Sequence, residues 1–581
     1  MNSSRRHTFH IPVLGIGYSL DTAVKVAPYG IASVISLVDD TLIEDMRKFY
    51  CKKLNVTFQA ISEKIEDFRA KRITAYLDMV DDMVKEKVEE IKESALNAGS
   101  EIEKYLSLLP DFSAIQEKFN LVDKSRQAYK DIADWVNENL FTGSIDVNIM
   151  TKLDNANVKN GEELPIYYND AHAALRGFAK SKLSSSVVFS AGMSPRLYSY
   201  LENFPDFFPD KDGQIKKTII LKVSDFRSAF VQGKMLSAKG LWISEYRIES
   251  GVNCGGHTFP TNGILFGPIL EEFRQKRNLL YTTCINAYKD GLKKKDIKDP
   301  SVTPEIMLTV QGGVGTAEEH RFLLDYYHLD RVGWGTPFML VPEVVSIDKD
   351  TVSLLANAKE EDLYFSNISP LGVPFNSVRG TSMSIRKMEI AKQGKPGAPC
   401  TKSFLKYNTE YTDRPICTAS RQYQIQKLKE LEQLHLSEKE HEDAYNQIIE
   451  KECLCVGLGV DSKKSKNIPV KLIDKVSVCP GPNMAYFSNE ISFQTMVDHI
   501  YGRKNILDDR PRPHMFLKEL GMYIDIYKDK LQAFLKNPDD KKEIKQLALF
   551  KKNMLEGIQY YKKLFSEKIL KKYITGTDLS L

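Results

Sequence analysis

Short apolar runs rich in β-branched residues recur along the chain, and most are followed by a stretch with apolar residues at helical spacing. The runs are Ile11–Gly17, Ile31–Val38, Ile145–Met150, Val187–Ala191, Thr218–Val223, Leu241–Ser244, Ile306–Val310 and Arg331–Gly335. Alternation of this kind is the pattern of parallel strands covered by returning helices, whereas a sandwich would show strand following strand with no helical period between them. Eight such units over a few hundred residues match the count of a (β/α)8 barrel, so the expected fold is α/β, a TIM-type barrel.

Two long stretches depart from the alternation. Residues 40–143 are charged and periodic and hold no convincing strand. Ile65, Phe68, Ile73, Tyr76, Leu77, Val80, Val84, Val88 and Ile91 approximate one apolar stripe at helical spacing there. This reads as a helical insertion after the second strand, packed on one face and solvated on the other, with a partner-binding coiled coil as the alternative. Beyond residue 345 the character changes again. Residues 362–420 are rich in Pro, Gly, Ser and Asn and read as long loops, 421–452 read as one charged helix, and the last sixty or so residues read as helical and basic. The expected organisation is a barrel over residues 1–345, including the insertion, followed by a C-terminal extension over 346–581.

Composition narrows the function classes. The chain has 581 residues, is 42% hydrophobic and 27% charged, and carries a formal net charge of +4. A balance so near neutrality demands neither nucleic acid nor a membrane surface as partner. No run of about twenty apolar residues suggests a membrane span. The N-terminal MNSSRRHTFHIPVLGIG lacks the continuous apolar core and small-residue cleavage site of a secretory signal, so a cytoplasmic location is expected. Lysines at residues 514–575 suit a solvated helical face better than a docking site for an acidic partner.

Eight cysteines are too sparse for a disulfide framework, and reduced thiols are expected. Five of them, Cys400, Cys417, Cys453, Cys455 and Cys479, fall in the extension. Thiolates hold zinc or iron–sulfur clusters, which makes these five candidate metal ligands. Their wide, irregular spacing is a weaker pattern than paired Cys-x-x-Cys, and buried free thiols are the competing reading.

The most specific chemistry lies at three strand ends. Val310-Gln311-Gly312-Gly313-Val314-Gly315-Thr316 follows the seventh run and leads directly into a helix, and Gly333-Trp334-Gly335-Thr336 closes the eighth. Glycines let a backbone approach a phosphate, a helix N-terminus offers free N–H groups, and the loops after the seventh and eighth strands are where barrels usually hold a cofactor phosphate. After the sixth run comes Asn253-Cys254-Gly255-Gly256-His257. A histidine there can reach the barrel mouth, where its near-neutral pKa suits proton transfer. A structural histidine satisfied by loop carbonyls is the plainer alternative.

Together these three motifs resemble the signature of the nitronate monooxygenases, relatives of the flavin-type enoyl reductases. The resemblance extends to Val147-Asn148-Ile149, to Phe189-Ser190-Ala191-Gly192-Met193-Ser194-Pro195 and, loosely, to Ile11-Pro12-Val13, and it covers roughly residues 8–38 and 144–345. The chain has Cys254 where the family has Ala, and neither the insertion nor the extension belongs to the compact family pattern. The resemblance implies FMN across the barrel mouth, with Gly312, Gly313, Gly335 and Thr336 at its phosphate, Gly255 and Gly256 leaving room for the ring, and Asn148 and Lys222 near the ring or ribityl chain. His257 would face the substrate. The expected activity is oxidation of a small carbanion-type substrate such as a nitronate, with oxygen as acceptor. The alternatives are an NAD(P)H-dependent enoyl-thioester reductase and a non-catalytic scaffold that retains the barrel. Partners would be a small-molecule substrate and a redox co-substrate, with room for a homo-oligomer.

Overall fold

A computed structural model describes residues 6–96, 100–111, 126–190, 192–507, 511–535, 538 and 540–566. In chain order its strands are β1 (Phe9–Ile11), β2 (Ala32–Ser36), β3 (Ile145–Met150), a short hairpin of β4 (Val158–Lys159) and β5 (Glu162–Glu163), β6 (Ser186–Ser190), β7 (Thr218–Val223), β8 (Ile243–Glu249), β9 (Gly256–His257), β10 (Met307–Gln311), β11 (Arg331–Gly333), β12 (Leu363–Ser366) and β13 (Phe375–Val378). Eight of them, β1, β2, β3, β6, β7, β8, β10 and β11, pair in parallel in that order, and β11 returns to β1 to close a barrel. The expected (β/α)8 barrel is the fold.

Two strands are displaced from their expected positions for identifiable reasons. The first was expected at Ile11–Gly17 but occupies Phe9–Ile11. Pro12 has no N–H to give a ladder, and the residues after it run out over the barrel rim. The sixth was expected at Leu241–Ser244 but runs Ile243–Glu249. Its alternate residues Glu245, Arg247 and Glu249 are paired in register with Ile220, Lys222 and Gln311 of the neighbouring strands, so the apolar run ends early although the strand does not. The expected strand end Ala191, parts of the insertion and residues 567–575 of the tail lie outside the described residues.

The barrel interior holds a polar group and an apolar one. Arg247 pairs with Glu245 at 2.7 Å and Thr309 donates to the same carboxylate at 2.6 Å, with both charged side chains 2% exposed. Val34, Val188 and Ile220 form a small apolar cluster with Val13 packed against it, and Ile220 stands in register with Glu245.

The insertion is built around the helix Phe68–Leu96. Its Ile73, Tyr76, Leu77, Val80, Val84 and Ile91 are buried in the cluster that contains the outer faces of the barrel strands, whereas Ile65 lies before the helix and is 40% exposed. A Cβ on Gly177 would lie 2.8 Å from Ile73, so the helix Asp170–Lys180 can approach this closely only without one. The outward face carries exposed pairs such as Lys87–Glu90 and Lys92–Glu89 at helical spacing, each worth little in water.

The extension is more regular than its composition suggests. Within 362–420, expected as loops, β12 and β13 form a hairpin and Ser382–Lys392 is a helix. The charged segment 421–452, expected as one helix, is two, Arg421–Leu431 and Glu438–Ile449. The second starts at a capping box in which Ser437 and Glu440 satisfy each other's end of the turn, so the chain begins afresh there. Two long helices, Met515–Leu535 and Lys541–Ser566, finish the described chain, with Phe516 stacked on Tyr561 at 5.1 Å. Among the described residues no helix is long and apolar enough to cross a membrane.

Candidate functional site

The C-terminal strand ends open into a cavity of about 1240 Å³, counted with its open mouth. Of the residues expected at a site, Lys222, Gly255, Gly256, His257, Gly312, Gly313, Gly335 and Thr336 all line it. Asn148 does not; it is 2% exposed, with its side-chain oxygen buried and without a partner.

The floor is a charged network. Lys222 Nζ pairs with Glu249 Oε1 at 2.8 Å, and Gln311 Nε2 donates to that same oxygen at 2.8 Å. The expected Lys222 is therefore present, already matched by the carboxylate of Glu249. Beside it, burial pushes the Cys254 thiol well above its usual range, and its Sγ lies 3.6 Å from the Gln311 carbonyl. Cys254 is a neutral packing group here, without the thiolate character a nucleophile needs.

One wall is made by the two glycine turns. Gly312 (φ 111°) and Gly313 (φ 88°) hold conformations that side-chain-bearing residues rarely adopt. A Cβ on Gly312 would lie 2.7 Å from Cys254 Sγ, and one on Gly313 would lie 2.7 Å from Asn253 Nδ2. Among the described residues, the backbone N–H groups of Gly312, Gly313, Val314, Gly335 and Thr336 donate to no protein atom, though all five residues line the cavity. The Gly315 N–H is spent on Glu319 at 2.8 Å. A set of free donors on two neighbouring turns is the local chemistry of an anion cradle.

His257 stands across the cavity on β9, held by elements distant in sequence. β9 adds to the β12–β13 hairpin, pairing His257 with Phe375, whose ring meets the imidazole edge-on at 4.9 Å. His257 Nε2 lies 2.7 Å from the hydroxyl of Ser369, which in turn accepts from the Leu371 N–H. Burial, with a smaller contribution from Lys152, lowers the imidazole pKa to about 4, so the ring is neutral at pH 7. The extension supplies the roof. Phe375, Phe404, Leu405, Leu454 and Leu458 line the cavity and form a separate buried cluster with Leu153 and Ile368.

Phe375, Phe404 and Asn483 all line the site, and sequence reasoning missed each of them. They lie more than a hundred residues from the motifs they serve, and no local pattern marks them.

The cysteines of the extension do not assemble a metal centre. Among the described residues no group of three or more His, Cys, Asp or Glu is placed to hold a metal ion. Cys453 and Cys455 flank the start of the helix Leu454–Lys464 and open onto different cavities, while Cys479 lies with Cys455 in the main one. Burial pushes Cys453 to about 11 and Cys479 to about 12 and raises Cys455 further, which keeps these free thiols protonated. Cys400 is exposed, with its Sγ 3.7 Å from the Ser403 hydroxyl, and the neighbouring Cys417 thiol holds it below its usual range.

The chain is thus a (β/α)8-barrel protein whose C-terminal face is roofed by its own extension. No protein-family model matches it, and neither does any curated protein. Among solved structures it is similar to a mutant of FabK from Thermotoga maritima, with 10% identity over 85% of this chain and 92% of that one and a TM-score of 0.35. It is likewise similar to the enoyl reductase domain of MlnA from Bacillus amyloliquefaciens, with 14% identity over 75% and 87% and a TM-score of 0.32. A third is the nitroalkane oxidase from Streptomyces ansochromogenes, with 9% identity over 86% and 96% and a TM-score of 0.35. Likeness this loose adds nothing to the barrel read from strand pairing and does not bear on function.

Proposed function

We propose that this chain is an FMN-dependent oxidoreductase. The observation that carries the reading is the set of unpartnered backbone N–H groups on the turns after β10 and β11, all lining one roofed cavity. These donors fit a phosphate, the glycines Gly255 and Gly256 on the opposite wall fit a flat ring drawn close to backbone, and the Lys222–Glu249 pair sets the charge on the floor. When bound, the flavin supplies two-electron chemistry that no side chain in the cavity can provide.

The chain's own residues would bind, orient and exclude water. The apolar roof keeps solvent from the reacting centre and strengthens each polar contact inside it. His257 is neutral and has one ring nitrogen engaged by Ser369, which leaves Nδ1 to take or give a proton at the substrate. Within this class the leading reaction is oxidation of a small carbanion-type substrate such as an alkyl nitronate, with oxygen as acceptor. A second reading, reduction of an enoyl thioester with NAD(P)H, is favoured by the roof, whose Phe and Leu side chains suit an aliphatic chain. A scaffold that had given up catalysis would have no use for this cavity.

An absorbance spectrum of the purified protein, followed by release and identification of any yellow cofactor, tests the class. A protein that stays colourless after incubation with FMN refutes it. NAD(P)H consumption without oxygen, dependent on an enoyl thioester, would decide for the second reaction over the first.

A further inference from the structure

The glycine turn after β10 is held from behind by the extension. Arg512, 7% exposed, donates from Nη2 to the Gly313 carbonyl at 2.8 Å and from Nε to Asn483 Oδ1 at 3.0 Å. Asn483, 5% exposed, donates in turn to the Val314 carbonyl at 2.7 Å. Glu319 pairs with Arg512 at 2.7 Å and also accepts from the N–H groups of Gly315 and Met515. The guanidinium charge is therefore matched by a carboxylate, and what remains for Arg512 to do at the turn is geometric.

The consequence follows from the planarity of the peptide. In a trans peptide the C=O and the following N–H point in opposite directions. Fixing the Gly313 carbonyl on Arg512 therefore turns the Val314 N–H away from Arg512, and fixing the Val314 carbonyl on Asn483 fixes the next unit, whose Gly315 N–H goes to Glu319. The Val314 N–H is one of the donors with no protein partner, and Val314 lines the cavity. A second strap crosses the neighbouring turn: the Gly481 N–H donates to Thr336 Oγ1 at 3.0 Å, and a Cβ on Gly481 would lie 2.8 Å from that oxygen. Glycines alone leave a turn free to rotate its peptides, and here residues 145 to 199 positions away remove that freedom.

We infer that Arg512 and Asn483 are positioning residues that aim the free N–H groups of the glycine turn at the phosphate monoester of the cofactor, so that selection of FMN over riboflavin depends on residues outside the barrel. The inference rests on the flavin reading above and adds to it the part of the chain that enforces phosphate recognition.

Flavin fluorescence quenching on the apoprotein, titrated separately with FMN and with riboflavin, tests it without recourse to activity. Asn483→Ala leaves the Arg512–Glu319 pair intact, and Arg512→Lys keeps a charge opposite Glu319; thermal unfolding followed by circular dichroism checks that each variant folds. The wild type is expected to prefer FMN, and each variant is expected to lose about tenfold of that preference, the scale of one well-placed hydrogen bond, with riboflavin affinity unchanged. Variants that keep the wild-type ratio overturn the inference, as do a folded Asn483→Ala that loses both flavins equally and a wild type that binds both equally. If Arg512→Lys fails to fold, Asn483→Ala alone decides. A wild type that binds neither flavin overturns the cofactor reading itself and is distinguishable from all of these.

Discussion

Gly313→Ala separates the two demands that the proposed phosphate site makes on its backbone. The first is conformational: an L-residue at a φ of 88° costs about 1–2 kcal/mol. The second is steric. The new methyl would lie 2.7, 3.0 and 3.1 Å from Nδ2, Cγ and Cβ of Asn253, a side chain that is 3% exposed and donates to the Met515 carbonyl at 3.1 Å. Asn253 gives way only by surrendering that bond, which adds about 1–3 kcal/mol for a buried donor left unpaired. The sum is about 2–5 kcal/mol, and at 1.4 kcal/mol per tenfold it corresponds to at least about a thirtyfold loss of FMN affinity if the turn relieves itself by moving. Gly161 provides the control. It has the same φ of 88°, but a Cβ there would meet nothing within 4 Å, in the β4–β5 hairpin far along the chain from the glycine turns. Gly161→Ala should lower the unfolding free energy by about 1–2 kcal/mol and leave FMN binding alone. Isothermal titration with FMN and urea unfolding of both variants read the two quantities. Wild-type FMN affinity and stability in Gly313→Ala, or an equal loss of FMN affinity in both variants, would refute the reasoning.

His257→Ala should retain the flavin spectrum and turn over about a hundredfold more slowly, the usual scale for a positioned acid–base group; unchanged steady-state turnover would remove its proposed role. Burial lowers His257 and His514 to about 4 and His7 and His320 to about 3, from an unfolded value of 6.5, so between those limits the unfolded chain binds protons that the folded chain refuses and stability falls as pH drops. Each such residue contributes up to about 1.4 kcal/mol per pH unit in that window, and a urea midpoint no lower at pH 5 than at pH 7 would contradict the assignment. The hydrogen bond from Cys417 lowers the exposed Cys400 thiol to about 6, so iodoacetamide at pH 7 should label Cys400 ahead of the other seven cysteines; peptide mapping that finds another first would count against that pairing.

The barrel was legible because most of its strands lie within a short run rich in Val, Ile and Leu, and β3 and β7 fall where their runs predict. β8 was harder to read because a polar barrel interior puts Glu245, Arg247 and Glu249 where a run of Val or Ile would announce a strand. The glycine turns were legible for a different reason: the phosphate chemistry they suit is local, requiring only a strand, a bend and a helix start in succession. The partners of those turns are not local. Arg512 meets Gly313 across 199 positions and Ser369 meets His257 across 112, and neither carries a signal, since a buried arginine and a buried serine look in sequence like any others. The cysteines show how ambiguous spacing is. Enrichment over a short stretch left a ligand set open beside buried free thiols, and Cys453 and Cys455 diverge around one helix start.

The division of labour between barrel and extension follows from what a barrel mouth can offer. Strand ends present turns and charged side chains such as Lys222 and Glu249 at fixed spacing, but they leave the face open to water, where an ion pair is worth little. The extension changes both conditions. Its Phe and Leu side chains roof the cavity, and its backbone pairs with β9 so that the orientation of His257 is set by a sheet rather than by a loop. The same segment reaches round to hold the carbonyls of the glycine turn. A residue supported in this way cannot be moved to an isolated barrel with its setting intact, because the Ser369 hydroxyl and the Phe375 ring that hold His257 come from beyond residue 345. The C-terminal region is on this reasoning part of the site, and the barrel is the half of it that local sequence can express.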